Sequence, residues 1–470
     1  MAQLVLEHLL TISGFLLAVV LAVRVLQERR QPGGTLAWLM AIILIPYVGV
    51  PLYLLIGGRK VRRAARKKGS LYTGDAPAPS GGEGESGAGG VWGPGVPPPR
   101  SGNTVDMHFN GETAFWRLMG MIEEAEKSLH VMTFILGREE TGKALTRALA
   151  RKAAEGVEVR LLLDSLGSIW ASGAFLRPVI EAGGRVATFM PVLPVQRRWS
   201  ANLRNHRKIV VADHRVAMVG GMNLASAFMG PTPDPRRFVD MASFLEGPAV
   251  ADIERVFLSD WHYATNEEVE LPGAADAADG TGPSRIQVVA SGPDVPEDTF
   301  NDALLSAVMD ARRRIWLVTP YFIPDEAFLK ALEVKARGGK DVRVLVPLRS
   351  NHRLADIARG PSLRALARAD EGAQRGAAGG KVYGYPRRMV HAKAMIFDHT
   401  LAITGTPNLD MRSLYLNYEI ALFHHTRGEV DRVASFFSGL EKKSVPLGEK
   451  PVGPSRAWAE QLCHLISPLL

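Results

Sequence analysis

Two stretches of this chain, NHRKIVVADHRVAMVGGMN and VHAKAMIFDHTLAITGTPN, repeat one another, and this duplication constrains the fold more than any other feature. His206 and His391, Lys208 and Lys393, Asp213 and Asp398, Gly220 and Gly405, and Asn223 and Asn408 all fall at one common offset. The likeness continues upstream, where KSLHVMTFIL matches RRIWLVTPYF, EGVEVRLLL matches GGKDVRVLV, and AGGRV matches AGGKV. Between the first two pairs lie ALTRALARKAAE and AFLKALEVKARG, apolar at helical spacing. Strand, helix, strand is a βαβ unit, so each copy predicts a parallel or mixed sheet.

A lone His-x-Lys carries no information. Two copies of His-x-Lys-x4-Asp, each closing a matched βαβ pattern, carry a great deal. Side chains two apart on a strand share a face, so His206 points with Lys208, and His391 with Lys393. Asp213 and Asp398 lie at odd offsets and face elsewhere, which suits strand-end or turn residues. If the lobes pack about a pseudo-twofold axis, two imidazoles and two ammonium groups converge, with Asn223 and Asn408 nearby as amide donors. Such a site has no carboxylate or thiolate cluster for a metal, and no cofactor is expected. It suits a phosphodiester held by cations and amides while one His attacks phosphorus and the other protonates the leaving alkoxide.

The formal charge of +8 invites a nucleic-acid reading, but GRKVRRAARKK carries Arg59, Lys60, Arg62, Arg63, Arg66, Lys67 and Lys68 without an acid. The remainder of the chain is nearly neutral and poorly suited to a phosphate backbone. What precedes that cluster explains it. Residues 31–58 hold no charge, and LAWLMAIILIPYVGVPLYLLIG has the roughly 20 apolar residues that cross about 30 Å of hydrocarbon. Residues 4–26 form a second apolar span, interrupted only by Glu7 and Arg24 near its ends. The neutral start and the absence of small residues before a cleavage site argue against a signal peptide. Two spans make a hairpin, kinked at Pro46 and Pro51, and the cations after it place the body in the cytoplasm. A single cysteine, Cys463, excludes a disulfide-stapled fold and cysteine-rich zinc chemistry.

These features divide the chain into residues 1–68, a transmembrane hairpin with a basic flank; 69–102, a flexible Gly/Pro-rich tether; 103–264, the first lobe; 265–284, an acidic Gly-rich linker; and 285–470, the second lobe.

The paired motifs, with the hairpin, LLLDSLGS, FLEGPAV, FLSDW, TPYFIPDEAFLKAL, GTPNLDMRSLYLNYEI and the terminal SPLL, resemble the bacterial cardiolipin synthases of the phospholipase D superfamily over nearly the whole chain outside the tether. The resemblance implies an α/β fold of two pseudo-twofold-related phospholipase D-like βαβ sandwich lobes forming one catalytic body behind a transmembrane helical hairpin. It implies a multi-pass protein of a bacterial inner membrane, acting on phospholipids and not on nucleic acid. It counts His206, Lys208, Asp213, His391, Lys393 and Asp398 as the catalytic set and implies a metal-free phosphatidyl-histidine intermediate. By resemblance His206 is the nucleophile and His391 the general acid and later base, although the near-symmetry of the motifs leaves the roles exchangeable. Each catalytic His has a downstream orienting carboxylate in relatives, and the matching positions are Asp240 for His206 and Glu419 for His391. Ser413, in the Asp-x-Arg-Ser element, bonds the phosphate or positions a His.

The chain departs from the family in LASAFMG, where Ala227 and Phe228 stand for an acidic residue and Tyr, at Pro407, and in an enlarged loop at residues 369–376. His424, His425 and His352 read first as structural groups, while the arginines at 197, 198 and 204 read equally as a solvated loop or as contacts for an anionic headgroup. The implied reaction joins two phosphatidylglycerols into cardiolipin and glycerol. The alternatives are phosphatidylethanolamine as co-substrate, a phospholipase D hydrolase or nuclease using the same pocket, and a non-catalytic lipid scaffold. The intact motifs argue against the last.

Overall fold

A computed structural model describes residues 2–27, 32–47, 49–50, 53, 68–72, 96–191, 203–270, 280–295, 298–371, 379–447 and 451–465. The basic run at 59–67, the arginines at 197 and 198, most of the enlarged loop and the final SPLL lie outside these residues, as does the middle of the acidic linker.

Each copy of the repeat forms one sheet. The first has seven strands in the order Thr104–His108, Ala242–Glu246, Val216–Gly220, Ile209–Ala212, Ser128–Thr133, Glu158–Asp164, Arg185–Phe189. The second has nine, Arg100–Gly102, Gly282–Ser291, Glu419–His424, Leu401–Gly405, Ala394–Phe397, Arg314–Val318, Asp341–Pro347, Gly380–Tyr385, Val445–Pro446. Both are mixed, as the βαβ pattern requires. Ser128–Thr133 runs parallel to Glu158–Asp164 and antiparallel to the motif strand Ile209–Ala212. Arg314–Val318 repeats that arrangement with Asp341–Pro347 and Ala394–Phe397.

The motif strands are central and buried at every position, being runs of β-branched and apolar residues with no solvent-facing alternation. One continuous core joins the lobes: Ile209, Val211, Phe257 and Trp261 of the first pack in the same cluster as Val288, Leu317, Ile396 and Leu422 of the second. Helix Ala249–Thr265 carries much of this contact, burying Ile253, Val256, Phe257 and Trp261 along one face.

The stretch at 69–102 is not a free tether at either end. Lys68 places its ammonium between Asp260 and Asp294 with no side-chain exposure on any of the three. Leu71 N–H donates to the Asp294 carbonyl at 2.8 Å, and the Tyr72 hydroxyl accepts from Ala290 N–H at 2.8 Å. At the far end the Pro97 carbonyl accepts from Gln287 at 2.9 Å, and Arg100–Gly102 is the edge strand of the second sheet. Buried aliphatic and aromatic anchors at Leu71, Tyr72 and Val96 flank the Gly/Pro-rich composition and pin it to the body.

Before the body come helices Ala2–Gln27 and Pro32–Leu44, which meet through Leu21, Val25 and Ile42, with Tyr53 beyond the second helix completing the cluster. The second stops at Leu44 and bends at Ile45, the residue before Pro46, because proline disfavours helical backbone in its predecessor. Outward faces carry Phe15, Leu16, Val20, Leu26, Ile43 and Tyr47, all exposed. Among the described residues no helix is both long and apolar enough to cross a membrane.

Candidate active site

His206 and His391 each sit in extended backbone just ahead of a central motif strand. Two isolated parallel bridges tie these segments to the opposite lobe, Asn205 to Tyr418 and Val239 to Val390. His206 N–H donates to the Tyr418 carbonyl at 2.9 Å, and His391 N–H to that of Val239 at 2.7 Å. One residue further along each bridge, the side chains meet. His206 Nδ1 lies 3.0 Å from Glu419 Oε2, and His391 Nδ1 lies 2.7 Å from Asp240 Oδ2.

This corrects the pairing implied by resemblance. Asp240 orients His391 and Glu419 orients His206, so each carboxylate serves the other lobe's imidazole. The register of the bridges is the physical reason: Val239 opposite Val390 sets Asp240 beside His391, and Tyr418 opposite Asn205 sets Glu419 beside His206.

Both carboxylates are fully enclosed, while His206 and His391 keep 13% and 8% side-chain exposure. The imidazoles therefore face the opening and the carboxylates stand behind them. Burial alone would raise the carboxyl pKa values, but His391 and Lys393 hold Asp240 below its ordinary range, and His206 and Lys208 do the same for Glu419. Burial, with Lys208 adding and Glu419 opposing, lowers His206 to about 4. Burial and Lys393, opposed by Asp240, lower His391 to about 3. Lys208 falls to about 7 and Lys393 to about 8, chiefly by desolvation. The ammonium of the opposite lobe also lowers each imidazole, as expected for groups facing one site.

The lysines fold back over their own motif. Lys208 Nζ donates to the His206 carbonyl at 2.6 Å, and Lys393 Nζ lies 2.7 Å from His391 Nδ1. Aromatic rings line the imidazoles, Phe134 at 5.0 Å from His206 and Phe228 at 4.9 Å from His391. The departure noted at Phe228 is thus a wall of the site.

Asp213 and Asp398 are not in the site, so their membership of the catalytic set is corrected. Each accepts three backbone N–H groups, from Glu126, Lys127 and Ser128 and from Arg312, Arg313 and Arg314, and closes the turn before a βαβ strand. Both adopt φ of 52°, a left-handed conformation that Asp tolerates in turns. Asn223 is buried and accepts from Ile135 N–H at 3.1 Å, while Asn408 Oδ1 and Ser413 Oγ are buried without a hydrogen-bond partner. Gly221 is required because a Cβ there would lie 2.3 Å from Asp240 Oδ1. His424 is a core residue bonded to Thr404 at 2.8 Å, and His352 caps a helix by accepting from Ala355 N–H. Among the described residues no group of His, Cys, Asp and Glu has the makings of a metal site.

A family model described as cardiolipin synthase, PLD-like domain, matches residues 118–261 and 304–440. The chain belongs to the cardiolipin synthase family. A second model, phospholipase D-nuclease N-terminal, matches residues 16–58. A cardiolipin synthase of Halalkalibacterium halodurans is 31% identical over 94% of this chain and 90% of its own length. Cardiolipin synthase A of Pseudomonas putida is 34% identical over 89% of this chain and 88% of its own. The crystal structure of a Haemophilus influenzae phosphatidylserine synthase shares the fold at 13% identity, with a TM-score of 0.59 over 79% of this chain and 97% of that one.

Sequence reading missed the support beneath this family's site. Arg207, fully buried, reaches Asp260 through Nη1 at 2.9 Å, the Glu419 carbonyl at 3.0 Å and the Ser291 carbonyl at 3.1 Å. With Lys68 and Asp294 it forms an enclosed set of two cations and two anions behind His206. The available signal was Asp260 in FLSDW, a charge on the apolar face of a helix, which demands a buried partner.

Proposed function

We propose that this protein is a membrane-anchored phosphatidyltransferase that makes cardiolipin from two phosphatidylglycerols, with His206 as nucleophile and His391 as acid and base. The observation that carries the reading is the pair of nearly enclosed imidazoles, each held at Nδ1 by a carboxylate of the other lobe, with a buried lysine folded against each. With Nδ1 engaged, Nε2 of each ring is the reactive edge.

At neutral pH the empty site holds both imidazoles unprotonated, the state a nucleophile needs. A bound phosphodiester supplies the negative charge that raises His391, and Asp240 favours the resulting imidazolium. His206 Nε2 forms a bond to phosphorus as the phosphorus–oxygen bond to glycerol breaks, and His391 gives that oxygen its proton. The second phosphatidylglycerol then loses its hydroxyl proton to His391, its oxygen attacks phosphorus, and the phosphorus–nitrogen bond breaks. Lys208 and Lys393 hold the phosphoryl oxygens throughout, and Asn408 and Ser413 offer polar atoms without competing partners. Phe134 and Phe228 exclude water beside the rings, which favours an alcohol acceptor over hydrolysis.

The apolar helices at the N-terminus, with exposed faces that water does not favour, support anchoring in the bilayer as a hairpin. The division into hairpin, tether, two lobes and acidic linker belongs to the same proposal, with the tether amended to a loop fastened at both ends.

Labelled phosphatidylglycerol offered to purified protein with chelator should give cardiolipin and free glycerol. Phosphatidic acid as the main product would assign a hydrolase, and released ethanolamine from mixed lipids would assign the alternative co-substrate.

A further inference from the structure

The second lobe carries a charged cavity that contains none of the His and Lys motif residues. It measures about 700 Å³ and opens where the chain leaves strand Asp341–Pro347, roofed by the C-terminal helix Pro454–Leu465. Four arginines line it, Arg349, Arg359, Arg364 and Arg456, against two carboxylates, Asp356 and Glu460.

The pairing inside is incomplete. Glu460, whose side chain is 2% exposed, is shared by Arg364 and Arg456, the latter at 3.0 Å. Arg359 Nη2 holds Asp356 at 3.0 Å and the Leu348 carbonyl at 3.1 Å, yet its buried Nη1 has no acceptor among the described residues. Arg349 makes no ion pair among the described residues. Among the described lining residues two positive charges remain unmatched. A buried guanidinium N–H without an acceptor costs desolvation energy that a native fold recovers by binding one. Leu363 adds an apolar wall to the same cavity.

Planar guanidinium groups match phosphate oxygens two at a time, and the loop after a strand in an open sheet is the usual edge for such ligands. The corresponding loop of the first lobe is closed differently, with Asp164 accepting from Leu166 and Gly167 N–H groups and lying 3.6 Å from Arg204. The duplicated fold therefore presents an open cationic cavity on one lobe and an internally satisfied loop on the other.

We propose that this cavity is a second anion site, distinct from the paired imidazoles, that binds a phosphate group carried by an anionic phospholipid headgroup or free in solution. Binding does not depend on turnover, so the proposal stands apart from the catalytic reading.

The full chain in neutral detergent is titrated with inorganic phosphate while its melting temperature is followed, and phosphate is separately measured as an inhibitor of phosphatidylglycerol turnover, which reports the imidazole site. Arg349→Ala, an exposed position that does not threaten folding, should raise the half-saturating phosphate concentration for the thermal shift at least fivefold and leave the inhibition constant unchanged. Arg359→Gln should do the same more strongly if it folds. Vesicles of phosphatidylcholine with and without phosphatidylglycerol separate the sources: weaker binding of the Arg349→Ala protein only to the anionic vesicles assigns the lipid, and equal binding assigns free phosphate. An unchanged thermal titration in Arg349→Ala, or a thermal shift that tracks the inhibition constant in both variants, overturns the proposal.

Discussion

Glu419 of the second lobe holds the Nδ1 of His206 in the first at 3.0 Å, and Asp240 returns the relationship to His391 at 2.7 Å. The paired site is therefore built by both lobes together, because neither lobe contains both an imidazole and the carboxylate hydrogen-bonded to it.

That crossing predicts which step each carboxylate variant damages. With His206 as nucleophile, Glu419→Gln should slow attack on phosphorus and so formation of the lipid adduct on His206, whereas Asp240→Asn, which weakens His391 first as acid and then as base, should slow both formation of the adduct and its transfer. Each substitution should lower turnover by about 10²–10⁴-fold, the usual worth of an oriented acid or base. Mass spectrometry of protein quenched at short times reads the adduct. An adduct mapped to His391 instead of His206 would reverse the two histidine roles.

The lysines set an alkaline limit. Lys208 and Lys393 are lowered to about 7 and about 8, so both are charged below those values and lose charge as pH rises through them. Phosphodiester binding to the free enzyme weakens in the same direction. The lysines should therefore steepen the fall of kcat/KM above pH 7 and again above pH 8, on top of the decline that uptake of the His391 proton imposes above its free-enzyme value of about 3. A flat profile between pH 6 and 9 contradicts this assignment.

Asp213 and Asp398 should matter to stability and not to chemistry. Alanine at either position removes an acceptor shared by three backbone N–H groups and puts a residue with no local polar partner at positive φ. The expected loss is about 1–3 kcal/mol of folding stability, read by denaturant titration, with kcat/KM of the folded fraction within a few-fold of the parent.

The anchored residues 68–72 make a prediction about membrane coupling. Lengthening the Gly/Pro-rich stretch between residues 73 and 95 with eight Gly/Ser residues should leave activity on vesicles within about twofold, since both ends are fastened to the body and loop extension costs little. Lys68→Met should instead destabilise by about 3–5 kcal/mol, because it leaves an uncompensated buried carboxylate. Thermal melting and vesicle assays on the two variants check both, and a large activity loss from the insertion alone would restore the stretch as the working tether.

The sequence by itself determined the two βαβ lobes, the motif strands, the His and Lys pairs and the apolar N-terminus. Each of these rests on a local pattern: a period of two or 3.6 residues, or an unbroken apolar run, repeated at a fixed offset. It also placed Asp213 and Asp398 outside the chemistry, by strand parity, where family likeness counted them in. Only the tertiary structure decided which carboxylate faces which imidazole, since parallel and crossed pairings use the same residues and differ solely in the register of two bridges between lobes. The partners lie 213 and 151 residues apart in the chain, and a near-symmetric duplication offers no local signal that favours one arrangement. The fate of Lys68 is similar. In sequence it is the last of seven cations beside an apolar segment and reads as solvated flank, but two buried aspartates brought together by the lobe interface draw it out of water and into the foundation of the site.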